Sequence, residues 1–230
     1  MYLGASLLIS IGVLLILLFR AGGQASRVDW GSGWLNRLNG VNRLFCQTFH
    51  HLHSPPLLLP DGPLLLVSNH QSGLDPLLLL ALSNRPLRFL IAREEYQRWW
   101  LRWLLDATGS IPIERQGRPE KALSRVRQAL MVGEVVAIFP QGGIQQPGKP
   151  VRPMKRGAAM LACVTHCAVL PVRISGVRGA GKTLGALLLP GRPRLQSGQL
   201  LYCQDGNQQQ LLQQITDYLN DSAGDDSSRR

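Results

Sequence analysis

A chain of 230 residues is long enough to bury one substantial core and short enough to need only one domain. Its residues are 45% hydrophobic and 17% charged, with a formal charge of +11, a balance that is apolar for a soluble enzyme. The basic excess fits a polyanionic partner such as nucleic acid, anionic lipid headgroups or a phosphorylated small molecule, while four cysteines without framework spacing argue against a disulfide-stapled secreted scaffold and for a reducing compartment.

From Tyr2 to Phe19 (YLGASLLISIGVLLILLF) the chain carries no charge. As a helix this stretch would reach about 27 Å, close to the roughly 30 Å of a bilayer's hydrocarbon core. No positive side chain precedes it, as a cleaved secretion signal would require, and Arg20, Arg27, Arg37 and Arg43 follow it. A retained membrane helix over 1–20 is expected, with the rest of the chain on the cytoplasmic side. Cleavage near the Ala-Gly-Gly-Gln-Ala that follows Arg20, or a helix lying along the interface, are the alternatives. An anchor competes with nucleic-acid binding, for which no recognition motif occurs.

Residues 21–33 are rich in Gly and Ser and read as a linker. Leu35, Leu38, Val41, Leu44 and Phe45 then predict a helix from Trp34 to about His53, making 21–56 a linker and helix. Pro55, Pro56 and the Pro60-Asp61-Gly62 turn precede a folded domain over 57–220. Within it, apolar runs predict strands over 63–68, 87–92, 111–113, 135–139 and 169–174. Helices are predicted over 72–83, 94–105, 120–131 and 157–165, with a last amphipathic one carrying Leu211, Leu212, Ile215, Tyr218 and Leu219. The alternation predicts an α/β fold, a mixed, largely buried sheet flanked by helices. The polar tail 221–230 reads as disordered.

In Tyr96–Leu105 (YQRWWLRWLL), Arg98 and Arg102 interleave with Trp99, Trp100 and Trp103, a pattern that suits a lipid headgroup region or a helix with its indoles in the core. His50, His51 and His53 read as an exposed face. Cys163 and Cys167 flank His166, but a zinc site needs further ligands at the usual spacing, so buried packing is expected and no metal.

The densest chemistry lies in Asn69-His70-Gln71-Ser72-Gly73-Leu74-Asp75. A buried strand delivers His70 to the carboxyl end of the sheet, and Asp75 falls in the first turn of the next helix, with Ser72 and Asp75 spaced like a capping box. In that geometry the carboxylate can fix one imidazole nitrogen and leave the other to accept a proton, as a general base does. A satisfied core histidine beside an N-terminal aspartate is the alternative at this point.

The Asn-His-x-x-x-x-Asp block resembles the first motif of the glycerolipid acyltransferases. Gly109-Ser110-Ile111-Pro112-Ile113-Glu114-Arg115 resembles their second, Phe139-Pro140-Gln141-Gly142-Gly143 their third, and Pro153–Ala158 the basic segment that follows it. Leu170-Pro171-Val172-Arg173-Ile174 resembles the fourth, so the likeness covers about residues 57–200. It implies that His70 deprotonates an acceptor hydroxyl, that Asp75 orients His70, and that the hydroxyl attacks the thioester of acyl-CoA or acyl carrier protein, with no cofactor. Arg115 would hold a phosphate, and Asn69, Ser72, Gln141, Gly142, Lys155 and Arg156 would line the substrate site. The third motif departs from the family: Gln141 replaces its glutamate, and Gly143 and Ile144 its threonine and arginine. Lys149, Arg152, Lys155 or Arg156 can supply the missing charge. The expected acceptor is a lysophospholipid or related lipid alcohol, the expected partners are membrane lipids, and the alternatives are a catalytically silent lipid-binding relative or an acyltransferase for a glycolipid or other non-phosphatidate acceptor.

Overall fold

A computed structural model describes residues 2–114, 117 and 119–220, with side chains from residue 9 onward. The architecture is α/β, a six-stranded sheet between two layers of helices. The strands β1 (Leu64–Ser68), β2 (Leu87–Ala92), β3 (Ile111–Ile113), β4 (Val135–Ile138), β5 (Ala168–Ser175) and β6 (Arg194–Ser197) stand in the order β3-β2-β4-β1-β5-β6. The first five pair in parallel and β6 runs antiparallel along β5. Parallel strands covered on both faces read as unbroken apolar runs, which is why β1 (LLLVS) is buried at every position.

Side-chain alternation divides the core. Leu64 and Leu66 of β1 face one layer, where they meet Leu78, Leu79 and Leu82 of α3 (Asp75–Leu82) and Cys46 of α2 (Gly33–Thr48). Leu65 and Val67 face the other, made by α6 (Glu120–Met131), α7 (Gly157–Thr165) and α8 (Gln208–Asn220). Ala122, Val126, Ala129 and Leu130 of α6 and Leu211, Ile215 and Leu219 of α8 form buried stripes at helical spacing.

Several expectations need correction. The predicted helix over 34–53 ends at Thr48, where His51 turns into the left-handed region (φ 51°) and the Leu52 N–H reaches back to the Cys46 carbonyl. The predicted helix over 94–105 is two, α4 (Arg93–Tyr96) and α5 (Trp99–Ala107), because Arg98 is extended between them (ψ 113°). β6 was not expected; of its four residues only Leu195 is buried, too little apolar signal to read. His50 is fully buried, edge-on to Phe45 and Phe49, with neither ring nitrogen hydrogen-bonded, and burial pulls its pKa below the ordinary histidine value. The tail 221–230 lies outside the described residues.

The first helix, α1 (Tyr2–Ala25), crosses α2 so closely that a Cβ on Gly40 would lie 1.7 Å from the Gly22 carbonyl oxygen. Among the described residues no helix is long and apolar enough to cross a membrane, and the side chains of residues 1–8, where the expected span begins, lie outside them. The transmembrane expectation is therefore not shown. What the structure does show is an apolar surface: Ile9, Ile11 and Val13 through Leu18 are all exposed.

Cys163 is not simply packed in the core. It is bridged to Cys203, 40 residues later, with the two Cα atoms 5.0 Å apart, a pairing that only the tertiary fold creates. Cys46 and Cys167 are buried free thiols; burial pushes the first up to about 12 and raises the second. Closing a loop of this length contributes roughly 4 kcal/mol to the oxidised protein. Reductant is expected to lower the urea midpoint of the wild type and to leave Cys203→Ser unmoved; an equal response from both would show that the bridge adds nothing.

Candidate active site

The strand order marks where a crevice belongs. The chain leaves β1 through α3 toward β2, on one side, and leaves β4 through α7 toward β5, on the other, on opposite faces of the sheet. Adjacent strands whose outgoing connections diverge open a gap at their carboxyl ends, where ligands of open α/β sheets bind. His70 follows β1 into that gap and Phe139-Pro140-Gln141 follow β4.

The His70 Nδ1 stands 2.9 Å from Asp75 Oδ2. The same oxygen accepts the Gln71 N–H at 2.6 Å and the Ser72 N–H at 2.9 Å, while Oδ1 accepts the Ser72 hydroxyl at 2.9 Å. A carboxylate ringed by donors leaves Nδ1 as a donor too, which puts the free lone pair on Nε2. Ser72 closes a reciprocal cap, its Oγ accepting the Leu74 N–H and its carbonyl the Asp75 N–H. The helix begins at Asp75 rather than Ser72 because residues 72–74 form this turn. Asp75 is fully buried, and the His70 side chain retains 16% of its exposure, so the imidazole is reachable.

Two neighbours position His70 that the sequence did not point to. Phe139 stacks on the imidazole, centroids 4.2 Å apart and planes 17° from parallel. Gln145 donates its N–H to the His70 carbonyl at 2.8 Å. Gln141, buried, accepts the His70 N–H on its side-chain oxygen at 2.9 Å. Asn69 lies below the site and clips β1 to β5, its Nδ2 donating to the Ile174 carbonyl and its Oδ1 accepting the Ile174 N–H. Gly181 and Lys182, remote in sequence, tie to Gln71 and Gly73, and a Cβ on Gly73 would lie 2.3 Å from the Thr183 carbonyl oxygen, so that only glycine fits there.

The other expected site residues divide. Gly142 lies beside the site under the Lys155 side chain, Lys155 and Arg156 are exposed just before α7, and Arg115 lies outside the described residues. Among the described residues no three His, Cys, Asp or Glu gather as a metal-binding group. A cleft of about 500 Å³ lies at the opposite, amino end of the sheet between Arg85, Arg88, Asp106 and Glu134, and an apolar one of about 610 Å³ lies between α1 and α2. Neither includes His70.

The sequence model of the acyltransferase family matches residues 48–175. A lyso-ornithine lipid O-acyltransferase of Brucella abortus is 30% identical over 171 residues, 69% of this chain and 62% of the relative. A probable 1-acyl-sn-glycerol-3-phosphate acyltransferase of Mycoplasma pneumoniae is 29% identical over 131 residues, 54% of this chain and 48% of the relative. A 1-acyl-sn-glycerol-3-phosphate acyltransferase of Chlamydomonas reinhardtii is 31% identical over 144 residues, 61% of this chain and 41% of the relative. The chain thus spans about half the length, or less, of those last two curated relatives. Among solved structures, the 1-acyl-sn-glycerophosphate acyltransferase PlsC of Thermotoga maritima shares the fold, with a TM-score of 0.63 over 88% of this chain and 84% of that one at 20% identity.

Asn69→Ala would strand a buried N–H and carbonyl of Ile174, each costing about 1–3 kcal/mol. Chemical denaturation should show a loss of at least about 2 kcal/mol; a loss under about 0.5 kcal/mol would mean that the clip does not hold β1 to β5.

Proposed function

The chain belongs to the acyltransferase family, and we propose that it is an O-acyltransferase that moves a fatty-acyl group from a thioester, acyl-CoA or acyl carrier protein, to the hydroxyl of a lysophospholipid-like acceptor. The observation that carries this reading is the His70–Asp75 pair, 2.9 Å apart at the carboxyl edge of the sheet, with the imidazole partly exposed. With Nδ1 held by the carboxylate, Nε2 takes the proton of the acceptor hydroxyl as its oxygen attacks the thioester carbonyl. The tetrahedral intermediate collapses, the C–S bond breaks, and the thiolate takes the proton back from the imidazolium, so the base is regenerated within one turnover. The Phe139 ring stacked on the imidazole resists rotation out of that line. The 1-acyl-sn-glycerol-3-phosphate and lyso-ornithine lipid acyltransferases among its relatives support a lipid hydroxyl as acceptor.

His70→Ala removes the base and should lower transfer from labelled acyl-CoA to a lysophospholipid by about 10²–10⁴-fold, with the melting transition retained. Undiminished transfer would sink the assignment. A wild type that labels no lysolipid under any condition would instead favour a silent lipid-binding relative.

The same reading places the chain at a membrane surface. Its support is the exposed apolar stretch of α1 and a tryptophan face on α5. Trp99 is 86% and Trp103 54% exposed, Trp100 and Trp34 are partly exposed, and the Trp34 and Trp103 rings lie 5.7 Å apart across α2 and α5. Exposed indoles belong at the headgroup level of a bilayer, where an apolar ring with one N–H is at home. Arg98 and Arg102 are paired with Glu95 and Asp106, so this face attracts lipid through its rings more than its charge. Trp99→Ala with Trp100→Ala and Trp103→Ala should cut flotation with phosphatidylcholine vesicles several-fold; unchanged flotation would remove α5 from the membrane contact.

A further inference from the structure

We propose that Arg152 and Lys155 form a phosphate-holding subsite beside His70, which rests on the acyl-transfer reading above. The loop that carries them is ordered by one side chain. Gln145 reaches the carbonyl oxygens of Gln146, Lys149 and Pro150 with its Nε2, at 3.0 to 3.1 Å, and accepts the Arg152 N–H on its Oε1 at 3.0 Å. The loop is also tethered to the reacting side chain's own backbone, since the Gln145 N–H donates to the His70 carbonyl. Lys155 is tied in turn to the end of β4, its N–H donating to the Pro140 carbonyl at 2.9 Å.

From these tethers the two cations lie over the glycine pair that follows Gln141. A Cβ on Gly142 would stand 2.9 Å from Lys155 Cε and 3.1 Å from its Nζ, and one on Gly143 would stand 3.1 Å from Arg152 Nη1 and 3.6 Å from its Cζ. The ammonium and guanidinium therefore rest where side chains at 142 and 143 would sit, on the two residues next to the one that accepts the His70 N–H. Among the described residues neither cation makes an ion pair, although each is exposed and has a like charge nearby on the same short loop. Two unneutralised donors held against backbone beside a base suit a phosphate monoester or diester, the guanidinium as a fork and the ammonium as a point charge. Glycine at 143 makes room for this arrangement, and the cations take up the charge that Ile144 does not carry.

The phosphate can belong to the acceptor or to the donor, and a binding measurement on the whole chain separates these sources. Calorimetry with 1-hexanoylglycerol 3-phosphate and with CoA would be run on wild type, Arg152→Gln, Lys155→Gln, Gly143→Thr and Arg127→Gln. The last removes an exposed charge from α6, outside this loop. Each of the first two variants should weaken binding of at least one ligand by roughly 10- to 100-fold. Gly143→Thr, which keeps the charges but displaces the guanidinium, should weaken the same ligand at least fivefold, with Arg127→Gln within twofold of wild type. A loss confined to the hexanoyl compound assigns the subsite to the acceptor and one confined to CoA assigns it to the donor. Unchanged binding in Arg152→Gln and Lys155→Gln overturns the proposal, as does an equal loss in Arg127→Gln, which would mark diffuse surface charge, or wild-type binding by Gly143→Thr. Because the readout is binding, an absence of acyl transfer would count against the acyl-transfer reading alone.

Discussion

One buried carboxylate organises the candidate active site. Asp75 has no exposure, and an ionised group in such a place is costly unless donors surround it. Here two main-chain N–H groups, a hydroxyl and an imidazole nitrogen converge on its two oxygens. Satisfying it forces residues 70–72 to curl around the first turn of α3, and that curl is what brings a histidine five residues away into contact. The location is favourable too: the start of a helix favours negative charge, and Pro76, which follows, gives up no needed N–H. The bend of the loop and the direction of the imidazole thus follow from a single electrostatic requirement.

That requirement is met at a place prepared by the sheet. β1 is central, flanked by β4 and β5, and each neighbour contributes to the site from its own carboxyl end. β5 receives the Asn69 clip through Ile174, which holds the strand tip below His70 in register. β4 supplies the Phe139 ring and the Gln141 oxygen above it. A strand tip with both neighbours hydrogen-bonded opens rarely, so His70 follows directly from a well-held part of the sheet.

The elements legible in the sequence are those whose signal is local. Apolar runs marked the five parallel strands because burial on both faces demands them, and the stripes of α6 and α8 follow from the 3.6-residue period. The spacing of His70 and Asp75 was legible since one turn joins them. What stayed hidden depends on residues distant in sequence. Cys163 pairs with Cys203 because α7 packs beside the segment that leads into α8, and no spacing rule reports that. Gly181 and Lys182 reach the motif loop from the connection between β5 and β6. His50 looked like part of an exposed run, yet the chain turns at His51 and sets the ring edge-on against the stacked Phe45 and Phe49 while His51 and His53 stay outside. The break at Arg98 lacked any glycine or proline to announce it.

The departures in the third motif take on a different meaning once its contacts are known. Gln141 meets His70 through a side-chain oxygen accepting a main-chain N–H, a bond that an amide and a carboxylate oxygen can both accept. A glutamine where the family has glutamate therefore still holds the His70 main chain. The remaining link between the two loops, Gln145 N–H to the His70 carbonyl, uses backbone atoms and is indifferent to side-chain identity. The β4 loop can accordingly carry different side chains, as at Gly143 and Ile144, without loosening the imidazole that the β1 loop presents. The His70–Asp75 pair and the third motif thus stand on two neighbouring strands, joined by bonds that constrain geometry more than side-chain identity.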